Sequence, residues 1–165
     1  MFITNKSDQF FLNLQNKSIH NRNDFLISKC NKKAFNLINN WPNWESRKII
    51  IIGEKGSGKS HLASIWQKKT NAVYLNIKDF KKNSYDEIFL KNRHFVIDNI
   101  SSIIQNINIK EKLNVEKYLL HFYNLIDEKK SYVIFTDSTP PKFWNLKLAD
   151  LKSRLMATFS VLINQ

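Results

Sequence analysis

The chain has 165 residues, of which 42% are hydrophobic and 24% are charged, the size and composition of one globular domain. Its single cysteine, Cys30, excludes an intrachain disulfide framework and a zinc site built from four cysteines. The longest aliphatic run, at 49–52, is far shorter than the roughly 18 residues of a membrane span, and the N-terminal segment contains no apolar signal region. We therefore expect a soluble cytoplasmic protein without a membrane partner.

The chain is strongly basic, with a net charge of +12 from 26 lysines and arginines against 14 acidic residues. Lysine supplies 22 of these cations and arginine only 4. Arginine is the usual reader of phosphates and bases, because its planar group makes paired hydrogen bonds. The composition therefore favours a solvated lysine-rich surface, with weak nonspecific DNA binding, over a dedicated DNA-binding face.

Helices and strands are predicted to alternate along the chain. Residues 1–24 are polar with isolated aromatic side chains and are predicted to form a flexible N-terminal arm, which leaves 25–165 as the folded core. Strands that alternate with helices are typical of a three-layer α/β fold with a five-stranded parallel sheet. In chain order, apolar spacing and β-branched runs predict a helix at 28–40, a strand at 48–52, a helix at 59–69, a strand at 72–77, a helix at 85–90, a strand at 94–98, a helix at 110–128, a strand at 132–136, a helix at 148–155 and a strand at 158–163.

All 3 glycines of the chain lie between the first predicted strand and the helix that follows it. They lie at the first, fourth and sixth positions of a segment that fits the pattern G-x-x-x-x-G-K-[ST]. Glycine backbone can curl its N–H groups around phosphate oxygens, the lysine reaches the β- and γ-phosphates, and the last hydroxyl is a ligand for Mg²⁺. The sequence thus predicts a nucleotide phosphate site formed by Gly53, Glu54, Lys55, Gly56, Ser57, Gly58, Lys59 and Ser60.

A carboxylate at the end of a neighbouring strand completes such a site, because it holds the metal and its water. The strand predicted at 94–98 ends in Asp98, which we assign to Mg²⁺ together with Ser60. Many ATPases place a second acid next, to polarise the attacking water. Here that residue is Asn99, whose amide is not a general base near neutral pH. We therefore expect a nucleotide-bound switch rather than a fast ATPase.

Four segments together resemble the ATPase domain of the bacterial replication initiator DnaA, and they are closer still to its shorter relative Hda, which inactivates the initiator. The similarity covers about 9–165, and the continuation His61-Leu62 with the double proline at 140–141 is more specific than the phosphate loop alone. The segment WPNW at 41–44 is similar to a proline-tryptophan element of Hda-type proteins. The four segments are GEKGSGKSHL at 53–62, VIDNI at 96–100, FTDSTPP at 135–141 and DLKSRL at 150–155.

This resemblance implies an AAA+ fold with strand order 5-1-4-3-2, and ADP or ATP with Mg²⁺ as the bound nucleotide. It implies that Asp137 or Ser138, just past the fourth predicted strand, senses the γ-phosphate. Arg154 matches the arginine finger of the family, which enters the ATP site of a partner and raises the rate of hydrolysis by about 10³–10⁵. Besides the phosphate loop, the residues implied at the nucleotide are Phe25, Leu26, Ile27, Asn31 and His61.

The N-terminal arm carries a second match, the hexapeptide QFFLNL at 9–14. It is similar to the Q-L-x-L-x-L peptide with which Hda proteins dock on the DNA polymerase sliding clamp. In such a peptide the glutamine amide pairs at the rim of a pocket that alternate apolar side chains fill. The implied partners are the initiator DnaA and the clamp, the latter through Gln9, Phe10, Leu12 and Leu14.

The family normally continues past the fifth strand into a helical lid, and the initiator adds a DNA-binding helix-turn-helix. The sequence ends at Gln165, so we expect neither. The leading hypothesis is a regulator that docks on the clamp and stimulates ATP hydrolysis by DnaA. Two alternatives stay open, an initiator-like or helicase-loader-like module that binds DNA and a small P-loop kinase. The kinase is the less favoured, since such enzymes need several arginines and this chain has 4.

Overall fold

Five parallel strands form one sheet at the centre of the computed structural model, which describes residues 25–77 and 85–164. Across the sheet the strands are ordered β2-β3-β4-β1-β5, and each neighbouring pair is parallel. The predicted α/β fold is confirmed, as is the strand order that the resemblance implies. The strands are β1 (Lys48–Gly53), β2 (Val73–Tyr74), β3 (His94–Asp98), β4 (Tyr132–Asp137) and β5 (Phe159–Ile163).

Within the described residues, six α-helices cover the two faces of the sheet; α1 precedes the first strand and the other five lie between strands. None of these helices is both long and apolar enough to cross a membrane. The predicted arm at 1–24 lies outside the described residues. The helices are α1 (Lys32–Asn39), α2 (Lys59–Thr70), α3 (Tyr85–Lys91), α4 (Ile100–Gln105), α5 (Ile109–Glu128) and α6 (Ala149–Ala157), and a turn of 3-10 helix occupies Pro141–Phe143.

The sheet is buried on both faces, and β1 supplies both halves of the core. Successive side chains of a strand point to opposite faces, so the isoleucine run of β1 divides between two apolar clusters. Ile50 packs in the cluster that contains Phe122 of α5, and Ile51 packs in the cluster that contains Trp66 of α2. Each fully buried isoleucine contributes roughly 1.5–3 kcal/mol. Helices on both faces thus fix the strand that leads into the glycine loop.

Three elements differ from the sequence prediction. The strand predicted at 72–77 is limited to Val73–Tyr74 at the edge of the sheet, with one more backbone bond from Leu75 to Val96 of β3. The helix predicted at 28–40 begins at Lys32, after a turn in which Ser28 accepts backbone hydrogen bonds. Helix α4 is absent from the prediction; it has only six residues, and its N-cap residue, Asn99, makes no side-chain capping bond.

A buried carboxylate of α5 fixes the start of α6. Glu116 is fully buried and accepts hydrogen bonds from the backbone N–H groups of Lys147 at 2.9 Å and Leu148 at 2.6 Å. Leu148 is the N-cap residue of α6 and makes no side-chain capping bond of its own. A residue distant in the chain therefore supplies the acceptor at the first turn of this helix.

Aromatic side chains pack together where β3 and β4 begin. Trp44 stacks on the fully buried Trp66 with ring centroids 5.4 Å apart. Trp41 meets His94 edge to face at 5.1 Å, and Tyr132 lies against both Trp41 and Trp44. The two tryptophans of the WPNW segment therefore pack, half-buried, against the apolar core.

We expect the stability of the protein to depend on the protonation of His94. Burial lowers the pKa of His94 below its usual 6.5, and a hydrogen bond with the backbone of Arg93 opposes this only in part. Since the folded pKa lies below the unfolded one, the free energy of unfolding decreases as the pH falls below 6.5. His94→Phe, which keeps an aromatic ring, should lose less stability than wild type over this range.

Urea unfolding followed by tryptophan fluorescence measures the free energy of unfolding of both proteins at a pH about one unit above 6.5 and about one unit below it. Other titrating groups change both proteins alike, so the comparison isolates His94. Equal losses in the two proteins would contradict the prediction.

Candidate nucleotide-binding site

The loop at 53–60 joins the carboxyl end of β1 to the first turn of α2. Gly53 ends the strand where no side chain fits, since a Cβ there would lie 2.6 Å from the Ser57 hydroxyl and 3.0 Å from the carbonyl oxygen of Ile163. Gly58 is the N-cap of α2 and has a φ of 94°, a left-handed conformation that favours glycine. The glycine spacing in the sequence thus corresponds to a sharp turn of the backbone. The most exposed residues of the loop are Glu54, Lys55 and Gly56.

The start of α2 is suited to an anion. The N-cap makes no side-chain hydrogen bond, and the first turn contains no acidic residue. The first N–H groups of a helix have no intrahelical acceptor, and the aligned peptide dipoles give this end a partial positive charge. A helix start of this kind stabilises a bound phosphate.

The ammonium group of Lys59 is buried inside the loop. Lys59 is the first residue of α2 and is only 6% exposed. Its ammonium donates to the backbone carbonyl of Glu54 at 2.7 Å, which ties the two ends of the loop together. Burial lowers the pKa of Lys59, and the charges of Asp98 and Asp137 act in the opposite direction. A phosphate oxygen that replaced the carbonyl would satisfy both the charge and the hydrogen bond.

Ser60 and Asp98, the two residues assigned to Mg²⁺, are in direct contact. The Ser60 hydroxyl donates to Asp98 Oδ2 at 3.0 Å, and the Thr136 hydroxyl donates to Asp98 Oδ1. Hydroxyl and carboxylate oxygens are ligands that Mg²⁺ takes together with water and phosphate oxygens. No group of three or more acidic, histidine or cysteine side chains able to hold a metal occurs in the described part of the chain. The donor set therefore fits a magnesium ion that arrives with a nucleotide.

Asn99 follows this carboxylate in a left-handed conformation, with a φ of 56° that asparagine adopts more readily than most residues. Its N–H donates to the carbonyl of Thr136 at 2.9 Å, and the residue is exposed. The position that carries a second acid in many ATPases thus offers an exposed amide and no base.

The two residues expected to sense a γ-phosphate have different surroundings. Asp137 is fully buried, and its carboxylate accepts hydrogen bonds from Ser101 and Thr139. Ser138 is exposed at the end of β4. The Asp137 carboxylate is buried among these donors, and its negative charge would repel a phosphate. Of the two, Ser138 is the residue with a hydroxyl open to solvent.

Phe25 packs against the phosphate loop. Its ring lies edge to face with that of His61 at 5.0 Å and stacks on that of Phe35 at 5.7 Å. A Cβ added to Gly58 would lie 3.1 Å from the same ring. The segment that precedes α1 is therefore in contact with the phosphate loop and the first turn of α2.

Two apolar side chains next to Phe25 are open to solvent. Leu26 is 88% exposed and Ile27 is 54% exposed. The Asn31 side chain fixes the turn that carries them, donating to the carbonyl of Leu26 at 2.9 Å and accepting from the N–H of Ser28 at 2.9 Å. Exposed apolar groups on a fixed turn beside the phosphate loop form a surface that a flat nucleobase can cover. Asn31 acts on this surface through the backbone.

Arg154 lies near the edge of the sheet opposite to the phosphate loop. It precedes β5, whose first residue, Phe159, pairs with Ile49 near the start of β1, whereas Gly53 ends β1. Four strand residues separate these two levels, about 13 Å. The Arg154 side chain is 46% exposed, and its Nε donates to Asp150 at 2.9 Å. A guanidinium in this position does not serve the phosphate loop of its own chain.

The predicted clamp-binding residues at 9–14 lie outside the described residues. Three polar residues of the site, Thr136, Ser101 and Thr139, are absent from the sequence prediction. Thr136 gave a usable signal, because it is a polar residue near the end of an otherwise apolar strand. Ser101 gave none, because α4 itself was not predicted.

No protein-family model and no curated protein sequence matches this chain. Solved structures of DnaA do match it. The replication initiator DnaA bound to AMPPCP and single-stranded DNA has a TM-score of 0.72 at 16% identity, over 90% of this chain and 51% of that one. AMPPCP-bound DnaA from Aquifex aeolicus has a TM-score of 0.71 at 15% identity, over 89% of this chain and 50% of that one. Domain III of the Thermotoga maritima replication initiation protein DnaA has a TM-score of 0.70 at 18% identity, over 89% and 68%.

The chain spans about half the length of the first two of these structures. At 15%, 16% and 18% identity, the likeness is one of fold. The five-stranded parallel sheet and its covering helices supply that fold. The chain therefore has the α/β fold of these DnaA structures.

Proposed function

We propose that this chain is an adenine-nucleotide-binding module of the Hda type, which acts as a negative regulator of replication initiation. The observation that carries the nucleotide part is the contact of Ser60 with Asp98 at the mouth of a glycine loop that already holds Lys59. Two of the matching DnaA structures are bound to AMPPCP, an analogue of ATP, which supports the same ligand class for this chain. Mg²⁺ would neutralise phosphate charge at Ser60 and Asp98.

Each part of the site has a separate task in this proposal. The loop N–H groups and Lys59 hold the phosphates, and the exposed apolar turn at Leu26 and Ile27 receives the base. Ser138 senses the γ-phosphate. Because Asn99 offers no base, the bound nucleotide is hydrolysed slowly or not at all, and the site works as a switch.

Replacement of Lys59 tests nucleotide binding. We expect Lys59→Ala to weaken binding of ADP and AMPPCP, with Mg²⁺ present, by about tenfold to a hundredfold, since a charge-assisted hydrogen bond contributes roughly 1.5–3 kcal/mol. Isothermal titration calorimetry measures both affinities. Lys117→Ala is the matched control, because it removes the same charge from an exposed position on α5.

Urea unfolding should accompany the titration, since Lys59 also bonds within the loop. The nucleotide proposal fails if wild type takes up neither ADP nor AMPPCP, or if the two variants bind them equally well.

Arg154 is proposed to act on a partner. Its position far from its own loop and its partial exposure support the in-trans role that the resemblance implies. In that role the guanidinium enters the ATP site of DnaA and stabilises the charge that develops as water attacks the γ-phosphate, giving ADP and phosphate. The bond to Asp150 engages only Nε and leaves the two terminal amino groups for the partner.

Two readouts separate this role from nucleotide binding. In a reaction with DnaA, ATP and the DNA-loaded sliding clamp, Arg154→Ala should abolish the stimulation of ATP hydrolysis that wild type gives. Its own affinity for ADP should stay within about twofold of wild type, because Arg154 is remote from the loop. Lys152→Ala, on the same helix, is the control. Equal stimulation by wild type and Arg154→Ala would remove the finger from the proposal.

Docking on the sliding clamp is the third part of the proposal, and it rests on the sequence QFFLNL at 9–14 alone. We expect Gln9→Ala to reduce capture of the protein by immobilised clamp at least about fivefold, because the glutamine amide pairs at the rim of the peptide pocket. Gln15→Ala, just outside the hexapeptide, should be captured like wild type. Failure of the clamp to retain wild type would remove this partner.

The positions of the arginines argue against a small kinase. Arg47 precedes β1 and donates to the carbonyl of Lys130, and Arg93 precedes β3 and donates to the carbonyl of Lys129. With Arg154, the three arginines of the described residues all lie toward the amino end of the strands. The phosphate loop is at the carboxyl end, where a kinase would need them.

A further inference from the structure

Asp137 makes a dense set of polar contacts at the carboxyl end of β4, close to the phosphate loop. It is the last residue of β4 and is fully buried. Its Oδ2 accepts from the N–H of Ser101 at 2.7 Å. Its Oδ1 accepts from the Ser101 hydroxyl at 2.8 Å, from the N–H of Thr139 at 3.0 Å and from the Thr139 hydroxyl at 3.2 Å. Both oxygens are therefore engaged, and they bind two different segments.

The first segment begins at Asp98, the carboxylate assigned to Mg²⁺. Helix α4 starts directly after Asp98, and its N-cap, Asn99, makes no side-chain capping bond. Asp137 supplies the missing acceptor by taking both the N–H and the hydroxyl of Ser101. The preceding residue of β4, Thr136, donates its hydroxyl to Asp98 and accepts the N–H of Asn99 at its carbonyl. Two consecutive residues of β4 thus hold the chain from 98 to 101.

The second segment carries the exposed serine. The two bonds from Thr139 to Asp137 close a short turn with Ser138 at its tip. Any displacement of Ser138 changes the bonds of Asp137 on one side and, through the same carboxylate, those of Ser101 on the other. Because a buried carboxylate is costly to leave unbonded, the two sides are expected to move together.

We propose that Asp137 is a positioning residue that couples the turn at Ser138 to Asp98, so that the site distinguishes nucleoside triphosphates from diphosphates. This rests on the proposed function, since it presumes an adenine nucleotide in the phosphate loop. Asp137 itself touches neither phosphate nor metal. It transmits the contact that a third phosphate makes with Ser138 to the residues that hold the metal, through Ser101 and Thr139.

The test compares two nucleotides rather than one. Asp137→Asn keeps the shape of the side chain but gives the amide nitrogen no lone pair for a donor at one of the two positions. We expect the affinity for AMPPCP with Mg²⁺, measured by calorimetry, to fall at least about tenfold, while the affinity for ADP with Mg²⁺ changes less than about twofold. A purely structural defect would weaken both ligands by the same factor, and that result would overturn the inference.

Two milder variants keep the test decisive if Asp137→Asn does not fold. Ser101→Ala removes the hydroxyl bond on the α4 side and leaves the backbone cap, and Thr139→Val removes the hydroxyl bond on the Ser138 side. Each should lower the ratio of AMPPCP to ADP affinity in the same direction. A ratio equal to that of wild type in both variants would contradict the coupling.

Hydrogen exchange of the nucleotide-free protein gives an independent readout. Ser101→Ala and Asp137→Asn should both speed exchange of amides at the start of α4, and Thr139→Val should do so as well if the two sides are coupled. No effect of Thr139→Val at α4 overturns the inference. If wild type binds neither nucleotide, the proposed function fails and takes this inference with it. If wild type binds both and the variants do not alter their ratio, only the inference fails.

Discussion

The common direction of β1, β3 and β4 is the constraint on which the site depends. Carboxyl ends of parallel strands meet at one edge of a sheet, so the ends of three strands distant in sequence become neighbours. The register aligns Ile52 with Asp137 and Asp98 with Thr136. Reversal of β3 alone would carry Asp98 to the far edge, and Ser60 would lose its carboxylate partner. The loop geometry, the buried lysine and the polar contacts all presuppose this alignment.

The parts of the molecule that the sequence predicts correctly depend on local signals. The β-branched run at 49–52 predicts a strand with both faces buried, and the glycine pattern that follows it predicts the turn and the helix start. Asp98 is recognisable because it ends an apolar strand. What escapes prediction depends on contacts between distant residues. The bonds of Thr136 to Asp98 and of Asp137 to Ser101 span 38 and 36 positions, and no local pattern encodes them.

Buried carboxylates fix the starts of two helices in the same way. Asp137 caps α4 at the edge that carries the phosphate loop, and Glu116 holds the start of α6, the helix that carries Arg154. Both acids are fully buried and bonded to backbone N–H groups, which offsets the cost of removing charge from water. A cap of this kind typically contributes about 1 kcal/mol. Its larger effect is geometric, because it fixes where a short helix begins.

Capping by side chains from elsewhere in the chain also affects the order of folding. A helix of six residues such as α4, or of nine such as α6, does not persist alone in water, since the first turn costs more entropy than one hydrogen bond returns. The capping acceptor of α4 is 36 positions away in the chain, and that of α6 is 32 positions away. Each helix is therefore stabilised only after a chain segment of that length has formed a closed loop. In a nascent or partly melted chain, α4 and α6 would therefore be among the last elements to form.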